Sequence, residues 1–186
     1  MTTPHRIRII GGVHRGRQIS VTIAPGLRPT PDRVRETLFN WLGQDLSGAT
    51  TLEPYAGTGV LSLEALSRGA ALAVAVDRNK ALVDALTAAA RHIGIEGLEA
   101  HAGDALRYLG RERRGFDVVF LDPPFADAPW EALFAAIDPL MRDDARIYAE
   151  SGRPIVPPPS LRILRQARAG GVHYHLLARS AAAPSR

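Results

Sequence analysis

Two short stretches of this 186-residue chain carry side chains of types and spacing that could do chemistry. The first is Asp122-Pro123-Pro124-Phe125, which follows the apolar run Phe116 to Leu121. That run is β-branched, aromatic and almost free of charge, the pattern of a strand buried on both faces of a parallel sheet. The two prolines lack backbone donors and have fixed φ, so the strand must stop there. The Asp122 carboxylate and the Pro123 carbonyl are then two acceptors at the carboxyl end of a strand, where open α/β sheets bind ligands. Phe125 adds a flat face on which a base can stack, worth about 1–3 kcal/mol. The set suits a planar, amine-bearing base held beside a reactive group.

The second stretch is Glu53-Pro54-Tyr55-Ala56-Gly57-Thr58-Gly59, placed between an expected strand and its helix. Glycines there let backbone pass close to a ligand at a helix amino terminus. Ser62 stands where a dinucleotide fingerprint would have its third glycine, so the loop alone does not name its ligand. Asp77 ends the next strand, 20 residues beyond Gly57, where a carboxylate can take both ribose hydroxyls. Asp104 follows the third strand and either accepts from an adenine amine or caps the helix after it. Acids at three successive strand ends, with Asp122 at the fourth, converge on one crevice.

The elements that must position these residues alternate. Strands are expected at 50–53, 71–76, 98–101, 116–121 and 145–150, with helices at 59–68, 79–93, just after Asp104, and at 130–141. That order predicts a Rossmann-like doubly wound α/β sheet with right-handed crossovers. Trp130 and Met141 read as core. After Pro157-Pro158-Pro159, the runs 161–168 and 172–178 flank Ala169-Gly170-Gly171, an antiparallel hairpin signal. Ahead of this unit, 6–10 and 17–23 form a small β-hairpin around Gly11-Gly12-Val13-His14-Arg15-Gly16. A helix then starts with Thr30 as cap and Pro31 in its first position, and runs on through Val34, Leu38, Trp41 and Leu42. The expected division is a basic extension over 1–46, a main domain over 47–180 and a tail over 181–186.

Charge is unevenly spread. Seven arginines and two histidines precede residue 40, against only Asp32 and Glu36. Such an excess at one end of a chain with net charge +4 is the footprint of a polyanion partner. A solvated basic arm and an arginine-rich genome are the plainer readings of the same composition. The absence of cysteine excludes disulfides, thiol catalysis and a cysteine-ligated metal, and no metal site is expected. Nothing resembles a signal peptide, and no apolar run approaches the roughly 20 residues of a membrane span. A cytoplasmic monomer is expected.

Taken together, the strand-end acids, the glycine loop and Asp-Pro-Pro-Phe resemble the class I S-adenosylmethionine-dependent methyltransferases that modify exocyclic amines of nucleobases. The likeness extends through Arg8-Ile9-Ile10-Gly11-Gly12, Arg15-Gly16-Arg17, Arg28-Pro29-Thr30, the run from Asp32 to Leu42, Leu63 to Ala70, Tyr148-Ala149-Glu150 and Val172-His173-Tyr174. On these motifs the chain resembles the RsmD family, which methylates N2 of one guanine in 16S ribosomal RNA, the guanine(966)-N2 type. The resemblance implies S-adenosylmethionine held by Glu53, Tyr55, Ala56, Gly57, Thr58, Gly59, Asp77, Arg78, Asp104 and Ala105. It implies catalysis by Asp122, Pro123, Pro124 and Phe125. RNA contacts are implied for Arg8, His14, Arg15, Arg17, Arg28, Arg33 and Arg35, on 16S RNA within the small subunit or an assembly intermediate. Two departures stand out: His14 where the family commonly has tryptophan, and Glu53-Pro54-Tyr55 in place of Asp-x-Phe.

Three other readings compete. A DNA adenine-N6 methyltransferase could use the same amine grip, but the chain lacks room for a separate target-recognition domain. A catalytically silent RNA-binding assembly factor would not need the glycine loop or Asp122. A nicotinamide oxidoreductase would need a catalytic Tyr-Lys or His arrangement, and the chain's one lysine is Lys80.

Overall fold

The structure is a computed structural model and describes residues 5–21, 30–124 and 128–180. Seven strands form the main sheet: β3 (Thr50–Glu53), β4 (Leu72–Asp77), β5 (Leu98–Ala102), β6 (Phe116–Leu121), β7 (Met141–Ser151), β8 (Leu161–Ala169) and β9 (Val172–Arg179), in the spatial order β5-β4-β3-β6-β7-β9-β8. From β5 to β7 all neighbours are parallel, whereas β9 pairs antiparallel with both β7 and β8. The chain winds outward from β3 to β5, then returns to lay β6 on the other side of β3. The carboxyl ends of β3 and β6 are therefore the topological switch point, where an open sheet leaves a crevice.

Helices α1 (Asp32–Leu42), α2 (Val60–Ser67) and α3 (Lys80–Ile93) contribute to one apolar cluster, which also takes Val118, Phe120 and Tyr148 from the sheet. The opposite face packs Val119 and Leu121 with Leu109 of α4 (Ala105–Leu109) and Leu133, Phe134 and Ile137 of α5 (Trp130–Ile137). Successive β6 side chains point to opposite faces, so a strand covered on both sides must be apolar throughout. Met141 is buried and Trp130 partly so. Helix α5 stops at Ile137, where Asp138–Leu140 tightens into a 3-10 turn, and β7 starts at Met141, earlier than expected.

The amino-terminal strands β1 (His5–Arg8) and β2 (Gln18–Val21) pair antiparallel as a separate two-stranded sheet. Ile7, Ile9, Ile19 and Val21 face inward and join the same cluster as α1 and α2, while Arg6, Arg8, Gln18 and Ser20 face out. One continuous core thus runs beneath the hairpin and the main sheet. At the hairpin turn, Gly12 has φ +74°, and a Cβ there would lie 1.7 Å from the Ser67 carbonyl oxygen. Only glycine permits this approach. Val13 N–H donates to that carbonyl at 2.7 Å, and the Ser67 hydroxyl donates to the Gly11 carbonyl at 2.6 Å. The hairpin is thereby fastened to the end of α2.

The entry to α1 departs from expectation. Pro31, with φ −59° and ψ 150°, flanks the helix, and no side chain caps it. The Thr30 hydroxyl instead donates to Glu150 on β7 at 3.2 Å. That hydroxyl donates across the core to a buried carboxylate, a strong acceptor. The last two residues of the expected second strand (22–23) and the 181–186 tail lie outside the described residues.

Candidate active site

The glycine loop is shaped by its own strand ends. Ala56 N–H donates to the Val76 carbonyl at 2.9 Å, and Gly59 N–H donates to the Ala56 carbonyl at 2.6 Å. Gly59 is the residue before α2 and has φ +67°; a Cβ on it would meet Leu86 of α3 at 2.4 Å. The turn thus needs glycine for both its conformation and its packing. Asp77 accepts from Gly57 N–H at 2.8 Å and from Asn79 N–H at 2.8 Å, and remains half-buried at the strand end. It ties the loop to β4 while facing the crevice rim, with exposed Arg78 beside it.

Glu53 lies beneath this loop. Its carboxylate accepts from the backbone N–H of Ser62 at 3.0 Å and from the Ser62 hydroxyl. Ser62, read as a departure from a glycine fingerprint, is therefore the partner of the glutamate that replaces the usual aspartate. Burial pushes the Glu53 carboxyl up to about 8; the Ser62 hydrogen bonds oppose this, and the charges of Asp77 and Glu150 add to it. Ala56 and Thr58 are buried in the loop. Tyr55 is half-buried near Asp104, whose charge adds to burial in raising the phenol. Asp104 caps α4 by accepting from Arg107 N–H at 2.9 Å and is exposed, with Ala105 buried behind it.

Asp122 follows β6 directly. Leu121 pairs with Ala149 in the parallel register, so Asp122 and Glu150 occupy equivalent next positions on adjacent strands. Burial, then the charge of Glu150, then that of Glu53 hold the Asp122 carboxyl well above the usual carboxylate range. Glu150 is itself raised, by burial, against hydrogen bonds from the Tyr148 hydroxyl at 2.8 Å and from Thr30. Pro123 is buried and Pro124 exposed; Phe125 lies outside the described residues. Three carboxylates from β3, β6 and β7 therefore crowd the switch point. None of them has an ion-pair partner among the described residues. Three crowded carboxyls whose ionisation burial disfavours ionise more readily beside a ligand that brings its own positive charge, as a sulfonium does. Glu150 and Tyr148 were legible only as part of a family motif, because a carboxylate inside a long strand carries no local signal of its neighbours.

The arginines divide into two groups. Arg8, Arg15, Arg17 and Arg33 are exposed, Arg8 lying 3.6 Å from Asp32. Arg28 lies outside the described residues. His14 is half-buried, its backbone N–H donating to Ser67 Oγ at 3.0 Å, and its buried ring Nδ1 has no partner among the described residues. Arg35 does not belong with the outward group and corrects the expectation placed on it. Its side chain is fully buried and pairs with Glu64 at 2.5 Å and with Asp32 at 2.5 Å. It also donates to the carbonyls of Arg8 at 3.1 Å and Thr30 at 3.2 Å. A basic residue at helical spacing from Asp32 and opposite a buried glutamate is drawn inward by the charge it must neutralise. Glu64 also accepts from Ile10 N–H at 2.7 Å, so one ion pair joins α1, α2 and the hairpin.

This sheet, with a glycine loop after its first parallel strand, strand-end acids and a strand ending in Asp-Pro-Pro, defines a class I S-adenosylmethionine-dependent methyltransferase. Residues 7–178 match the family model described as Conserved hypothetical protein 95. Over 182 residues the chain is 39% identical to Ribosomal RNA small subunit methyltransferase D of Escherichia coli (strain K12), covering 95% of this chain and 91% of that protein. It is 34% identical over 178 residues to the Haemophilus influenzae protein of the same name, covering 91% and 92%. A solved Escherichia coli structure described as a methyltransferase superposes with a TM-score of 0.86 at 38% identity, covering 95% of this chain and 99% of that one. The chain belongs to the ribosomal RNA small subunit methyltransferase D family.

Proposed function

We propose that this protein transfers a methyl group from S-adenosylmethionine to the exocyclic N2 of one guanine in 16S ribosomal RNA, the guanine(966)-N2 type. The observation that carries the reading is that β6 ends beside β3 at the switch point, so that Asp122 and Pro123 follow it next to the glycine loop. The names of the 39% and 34% identical relatives favour a small-subunit RNA substrate.

When bound, the cofactor supplies an activated methyl on a sulfonium. The residues proposed to hold it are Tyr55, Ala56, Gly57, Thr58, Gly59, Asp77, Arg78, Asp104 and Ala105, with Glu53 fixing the loop through Ser62. The remaining difficulty is the amine, whose lone pair is delocalised into the guanine ring. Acceptance of its two N–H groups by Asp122 and the Pro123 carbonyl favours a pyramidal nitrogen with the lone pair free. The gain is positioning, together with electrostatic stabilisation as positive charge develops on nitrogen. Phe125 stacks on the base, which must leave its helix to enter the crevice. Arg8, His14, Arg15 and Arg17 contact flanking RNA from the hairpin and Arg33 from the start of α1, with Arg28 as a further contact.

The test is transfer of tritiated methyl from S-adenosylmethionine to naked 16S RNA, to small subunits and to DNA, followed by nucleoside analysis. N2-methylguanosine in RNA is expected. N6-methyladenine in DNA would replace the reading with the DNA alternative, and RNA binding without transfer would leave an assembly factor.

A further inference from the structure

We propose that Glu150 is a positioning residue for methyl transfer: it stands beside Asp122 on the neighbouring strand and readies the Asp122 carboxylate to take up the proton shed by the methylated amine. The inference rests on the amine-methylation reading above and concerns a residue that the reading leaves without a role. Leu121 pairs with Ala149 and Phe120 with Tyr148 in parallel register, so Asp122 and Glu150 project to the same face about 4.8 Å apart in backbone. Glu53 projects to that face as well, since Leu52 pairs with Val119. Glu150 faces Tyr174 of β9 across the antiparallel pairing. The titratable groups around Glu150 are thus Asp122, Glu53, Tyr148 and Tyr174, and among the described residues no basic side chain pairs with any of the three acids.

Glu150 is held in place deliberately well for a residue without a structural charge partner. Both the Tyr148 and the Thr30 hydroxyls donate to Oε1. Thr30 lies two residues ahead of α1, so the amino-terminal unit reaches the carboxylates through one hydroxyl. Carboxylates on adjacent strands resist joint ionisation, so a charge on Glu150 raises the affinity of Asp122 for a proton. Asp122 beside an ionised Glu150 is then a stronger proton acceptor than a lone, solvated carboxylate. As the nitrogen lone pair forms the new N–C bond, the C–S electrons stay on sulfur and the nitrogen becomes cationic. Its N–H bond then breaks, the electron pair staying on nitrogen, and the proton passes to Asp122 beside the ionised Glu150 and on to water.

The test is the pH profile of single-turnover methyl transfer by the full chain on small-subunit RNA, for wild type, Glu150→Gln and Glu150→Asp. Glutamine keeps an oxygen for Tyr148 and Thr30 while removing a buried charge, so the variant retains the fold. The expected result is an acid limb displaced by about one pH unit to lower pH in Glu150→Gln, and returned toward wild type in Glu150→Asp. Cofactor dissociation constants and the KM for RNA stay within about twofold, because neither ligand is bound through Glu150. An acid limb in Glu150→Gln superimposable on wild type overturns the proposal, whatever happens to the rate. If wild type itself forms no N2-methylguanosine, the reading beneath the proposal has failed and the proposal with it; if it forms the product and the limb does not move, only the role of Glu150 fails.

Discussion

Replacing Arg35 by alanine separates a structural arginine from the RNA-facing ones around it. The guanidinium is fully buried and holds Glu64 and Asp32, each at 2.5 Å, with the carbonyls of Arg8 and Thr30. Removal leaves Glu64 buried, with Arg68 3.5 Å away and one backbone donor, Ile10 N–H. Breaking a buried pair by deleting one partner costs about 3–5 kcal/mol. For a chain of this length each kcal/mol moves the melting midpoint by about 2–4 °C, so a fall of roughly 6–20 °C is expected. The double variant Arg35→Ala/Glu64→Gln recovers part of that loss, because no carboxylate is then stranded. Thermal or urea unfolding measures this, and RNA binding across a salt series measures the rest. The slope of log affinity against log salt stays at the wild-type value in Arg35→Ala at temperatures where the variant is folded. A melt unchanged within about 1 °C, with a salt slope reduced by about 0.7–0.9, would show that Arg35 faces phosphate and would refute the assignment.

The exposed arginines behave oppositely. Neutralising Arg15 and Arg17 together reduces the salt slope by about 1.4–1.8, one phosphate contact each, with little change in melting; an unchanged slope moves the RNA surface elsewhere. Glu53 gives stability a pH dependence. Its folded pKa of about 8 exceeds the ordinary 4.5, so the folded state binds a proton that the unfolded state releases. The contribution is complete below about pH 4.5 and declines as pH rises toward 8, by a few kcal/mol at most. Glu53→Gln therefore flattens the difference between urea midpoints at pH 5 and pH 8.5, and an equal pH dependence in both proteins contradicts the assignment. Gly59→Ala forces a Cβ onto Leu86 at φ +67°. It is expected to lower stability by about 1–3 kcal/mol and to weaken cofactor binding in calorimetry, whereas wild-type values for both would remove the strain argument.

Most of the sheet was legible because period and punctuation agree. Phe116 to Leu121 stops at two prolines, and Asn79 sits one residue before α3, capping it through Ala81 N–H at 3.0 Å. The strand-end acids were legible for the same reason: position in an alternating pattern fixes which end of the sheet they occupy. What sequence could not show is which charged groups turn inward. Arg33 and Arg35 are equally basic and two residues apart, yet one is exposed and the other buried, because only Arg35 lies on the face opposite Glu64 of α2. Thr30 illustrates the same limit. Its position ahead of Pro31-Asp32 is that of a cap, but an acceptor 120 residues away, Glu150, takes its hydroxyl. Long-range partners decide the roles of short polar side chains, and no local spacing records them.

The central claim, that Asp122 grips the amine while the cofactor is held elsewhere, is tested most directly by Asp122→Ala. Methyl transfer to small-subunit RNA and S-adenosylmethionine affinity are measured on the same preparation. Transfer falls by at least about a hundredfold, as for loss of a positioned electrostatic group, while the cofactor dissociation constant changes by less than about threefold. Transfer at the wild-type rate in Asp122→Ala would contradict the account.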